Sequence, residues 1–171
     1  MAQYTRIALT GFMGVGKSSV ARHLSGLLDC GRTDLDYAIE HFEGRRIADI
    51  IDTDGEPAYR AIETAALVRV LAEPGLRILS LGGGTWMSPE NRDLIRAEGL
   101  TSVWLESTFD HCWLNIRASK KTRPLARNKR AAKKLFDQRQ EVYCLADWHF
   151  IIRPQFTSFD VAKQIAEQVF M

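Results

Sequence analysis

The feature that most constrains the fold of this chain is a glycine-rich segment near its N-terminus, Gly11-Phe12-Met13-Gly14-Val15-Gly16-Lys17-Ser18. An apolar run, Ile7-Ala8-Leu9, precedes it, and apolar residues at helical spacing between Val20 and Leu28 follow it. A strand, a G-x-x-x-x-G-K-S turn and a helix predict a phosphate-binding loop, because backbone N–H groups and the positive end of the helix face anionic oxygens there. Lys17 is predicted to reach the β- and γ-phosphates of a nucleotide, and the Ser18 hydroxyl to bind Mg²⁺. The alternative is a chance glycine-rich turn, and the flanking strand and helix argue against it.

Composition and charge limit the class of protein further. The 171 residues are 46% hydrophobic and 26% charged with a net charge of +2, which is ordinary for one globular domain. No apolar run approaches the roughly 20 residues that span a bilayer, and the segment after Met1 lacks the apolar core of a signal peptide. The cysteines, Cys30, Cys112 and Cys144, are widely spaced and favour reduced thiols over a disulfide framework. We therefore expect a cytoplasmic chain of one domain without a membrane partner.

Strands and helices are predicted to alternate along the whole chain. The predicted strands are residues 4–10, 32–34, 77–81, 101–105 and 149–152, and the predicted helices are 17–28, 37–71 with breaks at Gly44 and Asp54-Gly55, a helix that starts at Ser88, 108–116, 131–145 and 158–170. This alternation predicts an α/β fold with a parallel sheet between two layers of helices. Ligands of such sheets bind beyond the carboxyl ends of the strands. The phosphate loop, Asp34-Leu35-Asp36 and Gly82-Gly83-Gly84 are all predicted to lie at those ends.

Two carboxylates, Asp34 and Asp36, follow the second predicted strand. Residues two apart on an extended chain point the same way, so both are predicted to face the phosphate loop. One would hold Mg²⁺ through water, and the other would accept a proton or hydrogen bonds from a hydroxyl substrate. The alternative is an acidic turn in which Asp36 caps the following helix.

Three further features have both a functional and a structural interpretation. Gly82-Gly83-Gly84 either lets a ligand approach backbone N–H groups or is a flexible turn between a strand and a helix. Arg60 and Glu63 form either a surface salt bridge or a pair in which Glu63 orients Arg60 towards an anionic substrate. Arg139 is either a second contact for an anion or a solvated helical arginine.

Residues 117–134 contain nine basic residues and no acidic one. This segment predicts either a lid that closes over a triphosphate and supplies an arginine to the transferred group, or a nucleic-acid-binding patch. The small net charge and the lack of interleaved aromatic residues argue against the nucleic-acid patch. The four histidines form no dyad or ligand set, so catalysis without histidine is expected.

Taken in order along the chain, these motifs resemble those of shikimate kinases. The residues that carry the resemblance are the phosphate loop, Asp34-Leu35-Asp36 with Ile39-Glu40, Ile47-Ala48-Asp49-Ile50, Asp54-Gly55-Glu56, Tyr59-Arg60-Ala61-Ile62-Glu63, Leu81-Gly82-Gly83-Gly84, Arg123-Pro124-Leu125, and Arg139 ahead of Tyr143 and Ala146-Asp147. The resemblance implies a three-layer P-loop fold like that of nucleoside monophosphate kinases, with a five-stranded parallel sheet of order 2-3-1-4-5. It implies one kinase domain over residues 1–171, with a substrate-binding helical region at about 35–63 and a lid at about 117–130.

The resemblance also implies an activity, the Mg²⁺-dependent transfer of the γ-phosphoryl group of ATP to the 3-hydroxyl of shikimate in aromatic amino acid biosynthesis. It implies catalytic roles for Lys17, Asp36 and Arg123, and a metal site at Ser18 and Asp34. The implied nucleotide-binding residues are Gly14, Val15, Gly16, Lys17, Ser18, Ser19, Arg117 and Arg123, and the implied shikimate-binding residues are Asp36, Arg60, Gly82, Gly83, Gly84 and Arg139. The alternatives are a related kinase of another polyol acid such as gluconate, and a nucleotide-binding protein without catalysis. We expect a small-molecule substrate, no nucleic-acid partner and a monomer.

Overall fold

The computed structural model describes residues 5–170, and in that part of the chain five parallel strands form one sheet. The strands are β1 (Ile7–Thr10), β2 (Gly31–Asp34), β3 (Leu76–Ser80), β4 (Thr101–Glu106) and β5 (Trp148–Ile151). Their order in the sheet is β2-β3-β1-β4-β5, so the predicted order is confirmed. The first predicted strand also included Tyr4, which lies outside the described residues.

Helices connect each strand to the next. They are α1 (Lys17–Leu28), α2 (Leu35–Glu43), α3 (Ile47–Asp54), α4 (Glu56–Leu71), α5 (Pro89–Ala97), α6 (Phe109–Ala118), α7 (Lys129–Tyr143) and α8 (Ser158–Ile165), with 3₁₀ turns at Thr85–Met87 and Pro124–Ala126 and a π turn at Ala166–Phe170. The predicted helical region from 37 to 71 is three helices, which are separated at Gly44 and Gly55 as expected. Within residues 5–170, no helix has the length and apolar character needed to cross a membrane.

Side-chain caps determine where several of these helices begin. Ser88, Thr108, Asn128 and Thr157 each accept a hydrogen bond from the backbone N–H three residues further along the chain. Such a cap satisfies one of the N–H groups that the first helical turn leaves unpaired. The helix start predicted at Ser88 is confirmed, with Pro89 as its first residue.

The strand register brings the three predicted motifs to one edge of the sheet. In β1, Ile7, Ala8 and Leu9 are completely buried, because helices cover both faces of the sheet. Leu9 of β1 and Asp34 of β2 are both in register with Ser80 at the end of β3. The phosphate loop follows β1, and the Gly82–Gly84 turn follows β3 after Leu81, so both lie beside Asp34 at this edge of the sheet.

Candidate functional site

The loop between β1 and α1 presents the N-terminus of a helix to a cavity. Gly16 is the N-cap of α1 and has φ +103°, a backbone conformation that residues with a side chain rarely adopt. Lys17 follows it, and its side chain is buried with only 8% of the residue exposed. The Lys17 Nζ donates hydrogen bonds to the carbonyl oxygens of Gly11 (2.7 Å) and Phe12 (3.1 Å). Burial lowers the pKa of Lys17 to about 8, although the neighbouring charge of Asp36 opposes this shift.

Asp34 connects the phosphate loop to the start of α2. Its Oδ2 accepts a hydrogen bond from the Ser18 hydroxyl at 2.5 Å. Its Oδ1 accepts one from the backbone N–H of Tyr37 at 3.2 Å, so Asp34 is the cap of α2. The Ser18 hydroxyl and the Asp34 carboxylate are hard oxygen ligands beside a phosphate site, and they fit Mg²⁺. This ion binds few protein groups and completes its coordination shell with water and phosphate oxygens.

The structure corrects the sequence argument about Asp36. Helix α2 begins at Leu35, so Asp34 and Asp36 are not two apart on an extended strand, and the alternation argument was wrong. The alternative was wrong as well, because the cap of α2 is Asp34. Both carboxylates nevertheless reach the same cavity, since Asp36 lies in the first turn of the helix that Asp34 caps.

Two cavities meet in front of the phosphate loop. The smaller, of about 450 Å³, is lined by Gly14 to Ser19 of the loop and by Asn115, Ile152 and Phe156, among others. The larger, of about 1060 Å³, lies between helices α2 to α4, the Gly82–Gly84 turn and residues 120–125. The residues that line both cavities are Met13, Asp34, Asp36, Gly82, Gly83, Lys121 and Arg123. A group that passes from one cavity to the other therefore passes these side chains.

Glu63 holds Arg60 from inside the protein. Glu63 is only 1% exposed, and its Oε1 accepts a hydrogen bond from Arg60 Nη1 at 2.9 Å. Its Oε2 accepts hydrogen bonds from the Thr85 hydroxyl (2.8 Å) and the Tyr59 hydroxyl (3.3 Å). Burial opposes the charge of Arg60, but the charge and hydrogen bond of Glu63 outweigh it and raise the Arg60 pKa. The pair is thus no surface salt bridge, and Glu63 orients Arg60 along the wall of the larger cavity.

Three charged side chains converge on the Gly82–Gly84 turn. A Cβ atom would lie 2.8 Å from Asp36 Oδ1 at Gly82, 3.2 Å from Arg139 Nη1 at Gly83, and 2.5 Å from Arg60 Nη2 at Gly84. At Gly84 the whole end of the Arg60 guanidinium lies within 2.9 Å of that position. The lack of side chains on this turn therefore makes space for the ends of these three side chains, which neither sequence interpretation of the turn anticipated.

Arg139 is a buried arginine of α7 rather than a solvated one. It is 5% exposed and lines the larger cavity, and its Nη1 has no hydrogen-bond partner among residues 5–170. Two contacts fix this end of α7: the Tyr143 hydroxyl donates to the Gly83 carbonyl oxygen, and the Trp86 indole N–H donates to that of Val142 at 3.0 Å. A buried guanidinium N–H without a partner is costly, so this position is suited to an anion.

The basic segment supplies two cations to the junction of the cavities. Arg123 is half-buried, its Nε has no hydrogen-bond partner in the described part of the chain, and burial lowers its pKa. Lys121, which sequence reasoning did not single out, donates from Nζ to Asp36 Oδ2 at 2.8 Å.

Arg117, predicted to bind nucleotide, is exposed on α6 and lies outside the lining of both cavities, so its role stays a prediction.

Asn115 is a second residue that the sequence analysis missed. Its Nδ2 donates to the Gly14 carbonyl oxygen at 2.7 Å, across a sequence separation of 101 residues, and it lines the smaller cavity. Helix α6 is thereby tied to the phosphate loop at the point where the basic segment begins. A single asparagine in a helical pattern carries no signal of such a distant contact.

A phosphate loop on a parallel sheet, and a second cavity lined by cations and a carboxylate, define a P-loop phosphotransferase. The model of the shikimate kinase family matches residues 13–170. The shikimate kinase of Cereibacter sphaeroides is 38% identical over 144 residues, which are 82% of this chain and 71% of that protein. The shikimate kinase of Streptococcus thermophilus is 39% identical over 138 residues, which are 79% and 82% of the two chains. The chain therefore belongs to the shikimate kinase family.

Solved structures agree with this placement. The shikimate kinase of Acinetobacter baumannii in complex with shikimate has a TM-score of 0.89 at 27% identity and covers 98% of this chain and 93% of its own. The shikimate kinase of Aquifex aeolicus has a TM-score of 0.77 at 25% identity, with 96% of each chain covered. A deoxyadenosine kinase of M. mycoides, at 14% identity and a TM-score of 0.65, shares the fold.

Proposed function

We propose that this protein transfers the γ-phosphoryl group of ATP to the 3-hydroxyl of shikimate, and so gives shikimate 3-phosphate for aromatic amino acid biosynthesis. The observation that carries the proposal is the convergence of Asp36, Arg60 and Arg139 on the Gly82–Gly84 turn in the larger cavity. Two guanidinium groups suit a planar carboxylate, because their N–H groups bind both of its oxygens. A carboxylate beside them suits the hydroxyl groups of the same small molecule.

In the proposed reaction, Arg60 and Arg139 hold the carboxylate of the acceptor, and Asp36 accepts a hydrogen bond from the attacking hydroxyl. The hydroxyl oxygen forms a bond to the γ-phosphorus, the bond from that phosphorus to the β–γ bridging oxygen breaks, and ADP leaves. Asp36 takes the proton of the hydroxyl. Lys17 and Arg123 neutralise charge on the transferred group, since phosphoryl transfer is catalysed mainly by positioning and electrostatics.

The donor is proposed to lie in the smaller cavity, with its phosphates at the loop from Gly14 to Ser19. Ser18 and Asp34 would hold Mg²⁺, which supplies positive charge to the phosphates when it is bound. We also infer that residues of about 35–63 form the acceptor-binding region and about 117–130 the lid, because parts of both segments line the larger cavity. The monomeric state and the cytoplasmic location stay predictions.

ADP release in a coupled assay tests this function. ATP and Mg²⁺ are supplied with shikimate, with gluconate, or with no acceptor. We expect turnover with shikimate, and none with gluconate or without an acceptor. The ring of shikimate carries the carboxylate and the hydroxyls in one rigid unit that fits fixed side chains. Turnover with gluconate would favour the related polyol-acid kinase, and nucleotide binding without turnover on either acceptor would favour a non-catalytic role.

The value of kcat/KM for ATP is expected to fall as the pH rises through about 8, the pKa of Lys17. The pKa of Lys17 is lowered, so the cation is present below this pH and is lost above it, and kcat/KM reports the protonation of the free enzyme. A steady-state pH profile measures the fall. Lys17→Arg is the control, because a guanidinium stays protonated throughout and removes this limb of the profile. A wild-type profile that stays flat well above pH 8 would contradict the assignment.

A further inference from the structure

Lys121 and Asp36 form an ion pair at the junction of the two cavities. The distance from Lys121 Nζ to Asp36 Oδ2 is 2.8 Å, and the two side chains are 46% and 25% exposed. Both residues line both cavities. The pair therefore stands where a phosphoryl group leaving the nucleotide cavity would meet an acceptor in the larger one.

The two oxygens of Asp36 face different neighbours. Oδ1 lies against the Gly82 turn, 2.8 Å from the position a Cβ would take there. Oδ2 faces the lid and is occupied by the ammonium of Lys121. The lysine thus fills part of the hydrogen-bonding capacity that an acceptor hydroxyl would need.

The other two cations at the junction have different partners. Lys17 is held by the backbone carbonyl oxygens of Gly11 and Phe12, and Arg123 has an unpartnered Nε. Of these three cations within residues 5–170, only Lys121 forms an ion pair with the predicted catalytic carboxylate. A partly exposed ion pair of this kind is weak, and lysine is a flexible point charge, so a more highly charged phosphate can draw it away.

We propose that Lys121 couples the two substrate sites. Its ammonium is paired with Asp36 when no nucleotide is present, and it moves to the γ-phosphate when ATP binds. The move leaves Asp36 Oδ2 to the acceptor hydroxyl and adds a cation beside the transferred group. Because such coupling is reciprocal, shikimate strengthens the binding of ATP by the same factor. The inference rests on the proposed function for the identity of the acceptor.

Lys134 is the matched control residue. It is an exposed lysine of the same basic segment, lies on α7 and lines neither cavity, and within residues 5–170 it has no ion pair with Asp36. Replacing either lysine with methionine removes one positive charge from the basic segment. A general electrostatic effect of this segment would therefore appear in both variants, whereas coupling through Asp36 would be altered in Lys121→Met alone.

Calorimetry tests the coupling through the dissociation constant for shikimate, with and without a non-hydrolysable ATP analogue. In the wild type and in Lys134→Met, the analogue is expected to tighten shikimate binding. In Lys121→Met this enhancement is expected to be smaller by about threefold to fivefold. This fold-change corresponds to the upper range of interaction free energies for a partly exposed ion pair. Without nucleotide, Lys121→Met is expected to bind shikimate at least as tightly as the wild type. A merely structural role would weaken binding in both states and leave the ratio unchanged, and an unchanged ratio overturns the inference.

A second measurement needs no acceptor. The preference for the ATP analogue over ADP is expected to fall by about threefold to fivefold in Lys121→Met, because only the analogue carries a γ-phosphate. It is expected to stay at the wild-type value in Lys134→Met and to be largely restored in Lys121→Arg. Wild-type protein that binds the analogue but not shikimate would overturn the proposed function, whereas an unchanged analogue preference in Lys121→Met would overturn the role of Lys121 itself.

Discussion

Replacing Arg139 with methionine is expected to lower kcat/KM for shikimate by about 10²- to 10³-fold, the effect of about 3 to 4 kcal/mol. Arg139 is 5% exposed and its Nη1 has no partner in residues 5–170, so an anionic ligand would meet a charge that is already desolvated. Charge-assisted hydrogen bonds in such a setting are stronger than those at a surface. The measurement is the steady-state rate at varied shikimate and saturating ATP.

The same substitution is expected to leave the free energy of unfolding unchanged or to raise it. Methionine removes the contact of Arg139 with the Tyr143 hydroxyl, but it also removes a buried Nη1 group that lacks a partner and keeps most of the apolar length of the side chain. Urea denaturation of both proteins measures this. Arg130→Met on the exposed face of α7 is the matched control, and it should change neither kcat/KM nor stability appreciably. Normal shikimate kinetics in Arg139→Met would show that the buried arginine is structural.

Replacing Asp36 with asparagine is expected to lower kcat by at least about 10²-fold, within the range of general base catalysis. The amide keeps the shape of the side chain and one hydrogen-bond acceptor, but it cannot take the proton of the attacking hydroxyl at neutral pH. Binding of ATP should persist, because the loop from Gly14 to Ser19 is intact. Single-turnover measurements separate the chemical step from binding.

Asp52→Asn is the matched control for Asp36→Asn. Asp52 also pairs with a basic residue of the lid, since its Oδ1 lies 3.4 Å from Arg127 Nη2. That pair is exposed and does not line the larger cavity, so its loss is expected to change kcat by less than about twofold. Retention of kcat within tenfold in Asp36→Asn would exclude Asp36 as the base and leave it a binding residue.

Local patterns in the sequence predicted most of the fold. The apolar run at Ile7-Ala8-Leu9, the glycine-rich turn and the cap at Ser88 each depend on residues within a few positions of one another, and all were confirmed. The predicted bounds of the elements differ from the observed ones, because the residue at which a helix begins or ends depends on tertiary contacts as well as on propensity. The start of α2 at Leu35 shows this, since Asp34 caps that helix while it also binds Ser18.

The sequence by itself determined the phosphate loop, the parallel α/β architecture and the family to which the chain belongs, because these depend on short-range spacing and on ordered motifs. Only the tertiary structure decided between the alternatives for Arg60 and Arg139, since burial and the partners of a side chain are properties of the packed chain. The pairing of Lys121 with Asp36, across 85 residues, was decided in the same way. Contacts at such separations arise when the sheet brings distant loops to one edge, and no local pattern specifies which lysine of a basic segment will meet the carboxylate.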